Sequence, residues 1–295
     1  MTVALPRSVG TALRSGGSAS ALAADAFLEP VAPGTLELTV IGSAPAAPQP
    51  DSPGSGLLVR STDTTLLLDC GTGVVARLRR LLDPTRLDAI VVSHFHADHF
   101  LDLVALRYLF PWEGIEQPRL AVHLPPGGRD RLVALARVIS EDPSFFEQAL
   151  DLHEYDPAAE LPVGELRLAF IPSRHYVPAW GISVRAAEGP WLVYSADTGP
   201  NPALAEAARG ADLLVIEATL ASVSEDVAER GHLTLDEALA TARDAQARSV
   251  LLTHLPSARR AAIRAAVAGH RPAVHVARPG LRLDLASTPR RRRSA

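Results

Sequence analysis

The 295-residue sequence predicts an α/β (α+β) domain: an αββα sandwich of two mixed sheets with helices outside. Three observations lead there. A chain of this length with 47% hydrophobic residues can bury one large core and still carry surface loops. Its first strands form an antiparallel-looking block, and strand and helix patterns then alternate through both halves. Strand blocks of this kind bury apolar faces against one another, and the alternating helices cover the outer faces.

The elements follow in chain order. Residues 1–34 are rich in Ala, Ser, Gly and Pro and lack sustained periodicity, so a flexible N-terminal extension is expected there, with the folded domain at 35–287. Leu36 to Gly42 reads as a strand, residues 43–56 as a Pro/Gly/Ser loop, and Leu57 to Arg60 and Thr65 to Asp69 as further strands. Helical periodicity runs from Val74 to Leu82, a buried strand from Leu87 to Ser93, and a helix from Phe100 to Leu109. A strand at Leu120 to Leu124 and a helix from Arg129 to Ile139 precede a stretch without a clear pattern up to Pro162. Strands then fall at residues 165–172, 181–187, 191–195, 213–217, 250–253 and 274–277, with helices at 202–209, 234–247 and 258–268. The basic C-terminal tail, 288–295, is read as solvated terminal charge rather than as a site for an anionic partner.

Composition narrows the function. A formal charge of −4 and a pI near 6.2 provide no global basic field of the kind nucleic-acid binding exploits. Cys70 is the single cysteine, so neither an internal disulfide nor a thiolate zinc site is available, and any zinc must use His and carboxylate. No apolar stretch approaches a bilayer-spanning length and no secretory leader is evident, which predicts a cytoplasmic protein without a membrane partner. Every basic side chain is Arg, a bias read as coding composition rather than chemistry.

The most informative segment is Ser93-His-Phe-His-Ala-Asp-His-Phe100, an H-x-H-x-D-H cluster of His94, His96, Asp98 and His99. Three imidazoles and a carboxylate within six positions are costly to desolvate without a partner, and a metal ion is the economical one. The cluster sits where a strand turns into a helix, which holds ligands on a rigid rim. Three more candidates, His175, Asp197 and His254, each follow a predicted strand and so reach the same edge.

Together these residues resemble the metallo-β-lactamase superfamily over nearly everything from Leu36 to Leu285. The resemblance implies the metallo-β-lactamase fold and a pair of zinc ions: His94, His96 and His175 on one, Asp98, His99 and His254 on the other, and Asp197 bridging. Manganese or iron suits the same ligands. Asp69, at the end of its strand, is a candidate acceptor that orients a ligand His.

Two further segments resemble the ribonuclease Z and phosphodiesterase branch. Val215-Ile-Glu-Ala-Thr-Leu220 is similar to its His-Glu-Ala-Thr box, with Ile216 in place of the His, and Gly231-His-Leu-Thr234 to its Gly-His-x-Thr segment. The resemblance makes His232 the acid that protonates the leaving oxygen, Glu217 the group that orients it, and Asp98 a member of the reacting centre. Thr234 and Glu237 also form a capping box, placing His232 just ahead of a helix. Ribonuclease Z enzymes grip transfer RNA with a long arm between the positions of His175 and Asp197. Here only 197 − 175 = 22 positions separate them, enough for a hairpin. Ser52-Pro-Gly-Ser-Gly-Leu-Leu and Asp197-Thr-Gly-Pro-Asn201 also resemble actinobacterial atypical cyclic-nucleotide phosphodiesterases.

The expectation is therefore a dinuclear zinc hydrolase, most simply a phosphodiesterase acting on a small cyclic nucleotide diester through a metal-activated hydroxide, and a homodimer as is usual in the branch. The alternatives are an RNA 3′-end endonuclease, a lactone or thioester hydrolase, and a non-catalytic binding protein. His123, His153, His270 and His275 are read as structural or solvated, and Trp112 and Trp180 as core aromatics, with stacking at the pocket as their alternative.

Overall fold

The computed structural model describes residues 28–109, 119–186, 189–223 and 230–286. Among them, strands β1 (Thr35–Gly42), β2 (Gly56–Arg60), β3 (Thr65–Leu68), β4 (Ala89–Val91), β5 (Leu120–Leu124), β6 (Leu150–Glu154) and β14 (Arg282–Ala286) form one sheet, in the order β14-β1-β2-β3-β4-β5-β6. The second runs β13-β12-β11-β10-β9-β8-β7, from β7 (Leu161–Val163), β8 (Leu166–Pro172), β9 (Trp180–Ala186), β10 (Trp191–Tyr194), β11 (Leu213–Glu217), β12 (Ser249–Thr253) and β13 (Ala273–Val276). Both sheets mix parallel and antiparallel neighbours, and the predicted αββα sandwich is the fold observed.

The period of two in each strand sorts side chains into three apolar layers. Leu57, Val59, Leu66, Leu68 and Val91 face Leu168, Ile182, Leu192, Leu213 and Val215 between the sheets. Their neighbours Leu58, Leu67, Ile90 and Val122 point outward under helices α1 (Val74–Leu78), α3 (Leu103–Arg107) and α4 (Gly128–Ile139). On the far side Val193, Leu214, Ile216, Val250 and Leu252 lie under α5 (Pro202–Ala207), α6 (Leu235–Asp244) and α7 (Ser257–Ala266). Central strands are covered on both faces, which is why they read as continuous apolar runs rather than as an alternation.

Several elements differ from the sequence expectation. Strands β6, β7 and β14 are additional, and each lies at the edge of its sheet. The helix expected from Phe100 to Leu109 is replaced by α2 (Ala97–Phe100) and α3, because Asp102 N–H donates to the Cys70 carbonyl at 3.0 Å and the Asp98 carbonyl it would meet in a continuous helix accepts from Ser55 N–H, while the Asp102 carboxylate accepts from Val75 N–H at 2.8 Å. That contact ties the junction to the start of α1. Ahead of β1, Val31 is buried and the Arg60 guanidinium donates to the Glu29 carbonyl at 2.7 Å. Residues 1–27 of the expected extension and the whole 288–295 tail lie outside the described residues. No described helix is long and apolar enough to cross a membrane.

Candidate metal centre

The site forms where two sets of parallel strands end at one edge: β3 and β4 of the first sheet, and β10, β11 and β12 of the second. Past β4 the chain stays extended to His96, which precedes α2, and Asp98 and His99 fall within that short helix. His175 follows β8, Asp197 follows β10, Glu217 is the last residue of β11 and His254 follows β12. Asp69, Ala196 and His254 have left-handed backbone, with φ of 61°, 49° and 55°. Left-handed non-glycine residues cost on the order of 1–3 kcal/mol each and cluster where a side chain must be re-aimed, here at three strand ends around the centre.

The α2 turn is clamped from behind. Ser55 N–H donates to the Asp98 carbonyl and Cys70 N–H to that of His99, both at 2.7 Å. Gly71 makes the approach feasible, since a Cβ there would lie 1.8 Å from the Asp98 carbonyl oxygen.

The donors fall into two groups sharing one carboxylate: His94, His96, His175 and Asp197, and Asp98, His99, Asp197 and His254, with the donor atoms of each group within 4.8 Å of one another. In the first, His96 Nδ1 lies 3.2 Å from His94 Nε2 and 2.9 Å from His175 Nε2, and Asp197 Oδ2 is 3.8 Å from both Nε2 atoms. In the second, His254 Nε2 is 3.0 Å from Asp98 Oδ2 and 3.4 Å from Asp197 Oδ1, and His99 Nε2 is 3.5 Å from Asp98 Oδ2 and 3.4 Å from Asp197 Oδ2. A tetrahedral ion with donors at about 2.0–2.1 Å spaces those donors roughly 3.3–3.4 Å apart, and the spacings found, 2.9–3.8 Å, bracket that value. Asp197 Oδ1 is buried without a hydrogen-bond partner, an expensive condition for a carboxylate oxygen that a cation between the groups relieves. The residues fit a pair of divalent ions.

Each ring that offers Nε2 is held from its other nitrogen. His94 Nδ1 meets Ser93 Oγ at 3.0 Å, His99 Nδ1 meets Asp69 Oδ2 at 2.7 Å, His175 Nδ1 meets the Gly231 carbonyl at 2.8 Å and His254 Nδ1 meets Thr219 Oγ1 at 2.8 Å. Such partners fix the tautomer that leaves Nε2 with its lone pair toward the centre. Asp69 is fully buried and also accepts from Ser93 N–H, Ser93 Oγ–H and Tyr194 O–H, at 2.7, 2.9 and 2.9 Å.

Electrostatics match a cation-binding centre. Burial, reinforced by His99, holds the His94 pKa well below its usual value, and burial lowers His96 and His175 against the pull of Asp197. These shifts favour the neutral imidazole, the form that can offer a lone pair to a cation. For His99 burial opposes the cation, but Asp197 and Asp69 outweigh it and raise its pKa well above the usual range. For Asp197 burial opposes the anion, but His254 and His99 outweigh it and hold the carboxyl well below the usual range. Buried Asp197 thus favours positive charge beside it, from a protonated ring or from a metal.

Beside the second group, His232 Nδ1 meets Glu217 Oε1 at 2.9 Å, and its ring stacks on His254 with centroids 5.6 Å apart. Glu217 is fully buried, whereas the His232 side chain keeps 17% exposure at the mouth of the centre. Glu217, His232 and His254 could on distance alone hold another ion. Glu217 has no capacity for it. Oε1 also accepts from Thr198 N–H at 2.9 Å, and Oε2 accepts from Thr219 Oγ1–H, Thr219 N–H and Leu233 N–H at 2.7, 3.2 and 3.2 Å. Five donors fill the roughly four lone-pair sites of a carboxylate, so this group reads as a polarised histidine rather than as a metal cage.

A sequence model of the Beta-lactamase superfamily domain matches residues 64–255, a span containing every donor above. The chain belongs to the beta-lactamase superfamily. The expectation of a metal-dependent hydrolase is met by this membership. Similar proteins include ML1173 of Mycobacterium leprae, 34% identical across 75% of this chain and 78% of its own length. The probable metallo-hydrolase YhfI of Bacillus subtilis is 30% identical, and a ribonuclease Z of Myxococcus xanthus 29%, each across 75% of this chain and 87% of the relative. The YhfI crystal structure superposes with a TM-score of 0.72 at 24% identity, covering 85% of this chain and 99% of its own.

The structure brings together all seven residues expected around the metals and places the His232–Glu217 pair beside them. Thr219, Thr198 and Tyr194 were not anticipated, because each acts through a contact between distant strand ends. Trp180 packs against the inter-sheet core, edge-on to Tyr155 at 6.1 Å, and Trp112 lies outside the described residues. His153 pairs with Asp151 at 2.9 Å and stacks on His123, away from the centre.

Proposed function

We propose that the chain is a dinuclear zinc phosphodiesterase acting on a small diester, with a cyclic nucleotide as the favoured class. The observation that carries this reading is the shared Asp197 between two donor groups, set beside His232 whose carboxylate partner, Glu217, has its acceptor sites filled by hydrogen bonds. His94, His96 and His175 would hold one ion, Asp98, His99 and His254 the other, and Asp197 both. When bound, such a pair supplies a Lewis acid that offsets the charge developing on phosphoryl oxygens, and a nucleophile at neutral pH.

The chain's own residues do the remainder. His232 gives its Nδ1–H to Glu217 Oε1, which leaves Nε2 as the nitrogen that carries a proton to the departing oxygen. The buried Glu217 carboxylate stabilises the imidazolium and fixes the ring plane. Asp98 Oδ2, 3.0 Å from His254 Nε2, would be a second donor to the same ion. The interval between His175 and Asp197 is occupied by the antiparallel β9 and β10, which supports a compact diester over a folded RNA that an arm would have to grip. Cytoplasmic location and a homodimer belong to the same reading.

Some relatives carry the name ribonuclease Z, so RNA 3′-end cleavage is the second reading. Turnover of cyclic AMP, bis(p-nitrophenyl) phosphate, precursor transfer RNA and a lactone by one preparation separates the possibilities. Hydrolysis of both small diesters is expected. Cleavage of the transfer RNA precursor alone, or of the lactone alone, would overturn the assignment.

A further inference from the structure

We propose that Thr219 is a positioning residue that ties the acid pair to the second metal group, so that a single buried carboxylate, Glu217, anchors both His232 and His254. The inference rests on the reading of His254 as a ligand and His232 as the acid. Thr219 Oγ1 lies 2.7 Å from Glu217 Oε2, 2.8 Å from His254 Nδ1 and 3.1 Å from the His254 carbonyl. A hydroxyl has one proton to give, and the charged acceptor at the shorter distance takes it. Its oxygen then accepts Nδ1–H from His254, which leaves the Nε2 lone pair facing Asp98 and Asp197. The other carboxylate oxygen holds His232 Nδ1–H at 2.9 Å.

The arrangement differs from that of His99, whose Nδ1 meets the Asp69 carboxylate directly. His254 receives its carboxylate one hydroxyl removed. Its left-handed backbone, φ 55°, aims the ring at the centre, and the Thr219 contact at Nδ1 fixes the ring's rotation. Removing a group that orients a ligand histidine typically lowers metal affinity about 10–100-fold.

Thr219→Val removes the hydroxyl and keeps the branched shape, and the backbone N–H groups of Thr219 and Leu233 still hold Glu217 Oε2. Protein loaded with zinc and dialysed against graded zinc–chelator buffers is assayed for retained metal. Wild type should keep about two ions per chain, and Thr219→Val should lose one of them at a free zinc concentration about 10–100-fold higher than wild type does. Thr219→Ser restores the oxygen and should return retention to wild type, and Thr219→Ala provides the same readout should the Val variant fold poorly. Turnover of p-nitrophenyl and alkyl diesters should fall together in Thr219→Val at limiting zinc, because His232 keeps its direct contact with Glu217. Wild-type retention in both the Val and Ala variants, or no rescue by Ser, overturns the proposal. Wild type that never holds zinc instead overturns the metal centre on which it rests.

Discussion

Replacing His232 with Ala tests the division of labour at the site. The ring touches Glu217 on one side and stacks on His254 on the other, but none of the donor spacings within the two metal groups involves it. Its loss leaves Glu217 with four other donors and removes only ring packing, on His175 and His254, from the metal groups. A positioned general acid contributes about 10²–10⁴ in rate, or roughly 3–6 kcal/mol of barrier at ~1.4 kcal/mol per decade. His232→Ala should therefore lower kcat for a diester with an alkoxide leaving group, such as cyclic AMP, by about 10² or more. Bis(p-nitrophenyl) phosphate releases a stable anion and should lose far less. Paired kcat measurements on the two substrates, with zinc content determined on the same samples, provide the comparison. Equal losses on both substrates, or zinc missing from the variant, would show that His232 is a ligand or a structural residue and refute the acid role.

Two other perturbations follow from the geometry. Gly71→Ala places a methyl group 1.8 Å from the Asp98 carbonyl oxygen, and nothing in a backbone clamp can yield cheaply, so zinc retention should fall sharply and the melting temperature should drop. Wild-type values for both would contradict the clamp. His123 lies outside the site, and burial together with neighbouring His153 lowers its pKa from 6.5 to about 4. Because the folded-state pKa lies below the unfolded one, the unfolded chain binds the extra proton. Stability is therefore retained above pH 6.5 and is lost as pH falls from 6.5 toward 4. The full depression corresponds to at most ~3 kcal/mol, and less where solvent reaches the ring. Urea titrations at pH 7 and pH 4.5 should show a smaller acid penalty in His123→Gln than in wild type. Identical penalties would remove His123 from the account.

How much of this was legible in sequence depended on where each residue lies in the sandwich. Central strands such as β3, β4, β11 and β12 are apolar on both faces and declared themselves. The strands that escaped notice, β6, β7 and β14, are all sheet edges, where one side is unpaired and charged residues or Pro162 are tolerated. The metal donors were readable because four of them crowd into one turn and the rest terminate recognisable strands. Glu217 was readable only as the end of a strand with a suggestive neighbourhood. Its saturation by five donors from residues 198, 219, 232 and 233 exists only in three dimensions. Thr219 stood in the segment similar to the His-Glu-Ala-Thr box, but nothing local gave it a role, since its partner His254 is 35 residues away. The helix after the metal turn is shorter than its periodicity suggests because the backbone partners that break it, Cys70 for Asp102 N–H and Ser55 for the Asp98 carbonyl, are distant in sequence.

The central claim is that two donor groups joined by Asp197 hold a pair of divalent ions. Elemental analysis of wild type and Asp197→Ala, both purified without chelator, tests it most directly. The account predicts about two zinc ions per chain in wild type, activity that disappears with chelator and returns with metal, and a folded Asp197→Ala variant with depleted zinc and no turnover. Wild-type protein that is reproducibly free of metal yet active and indifferent to chelator would contradict it.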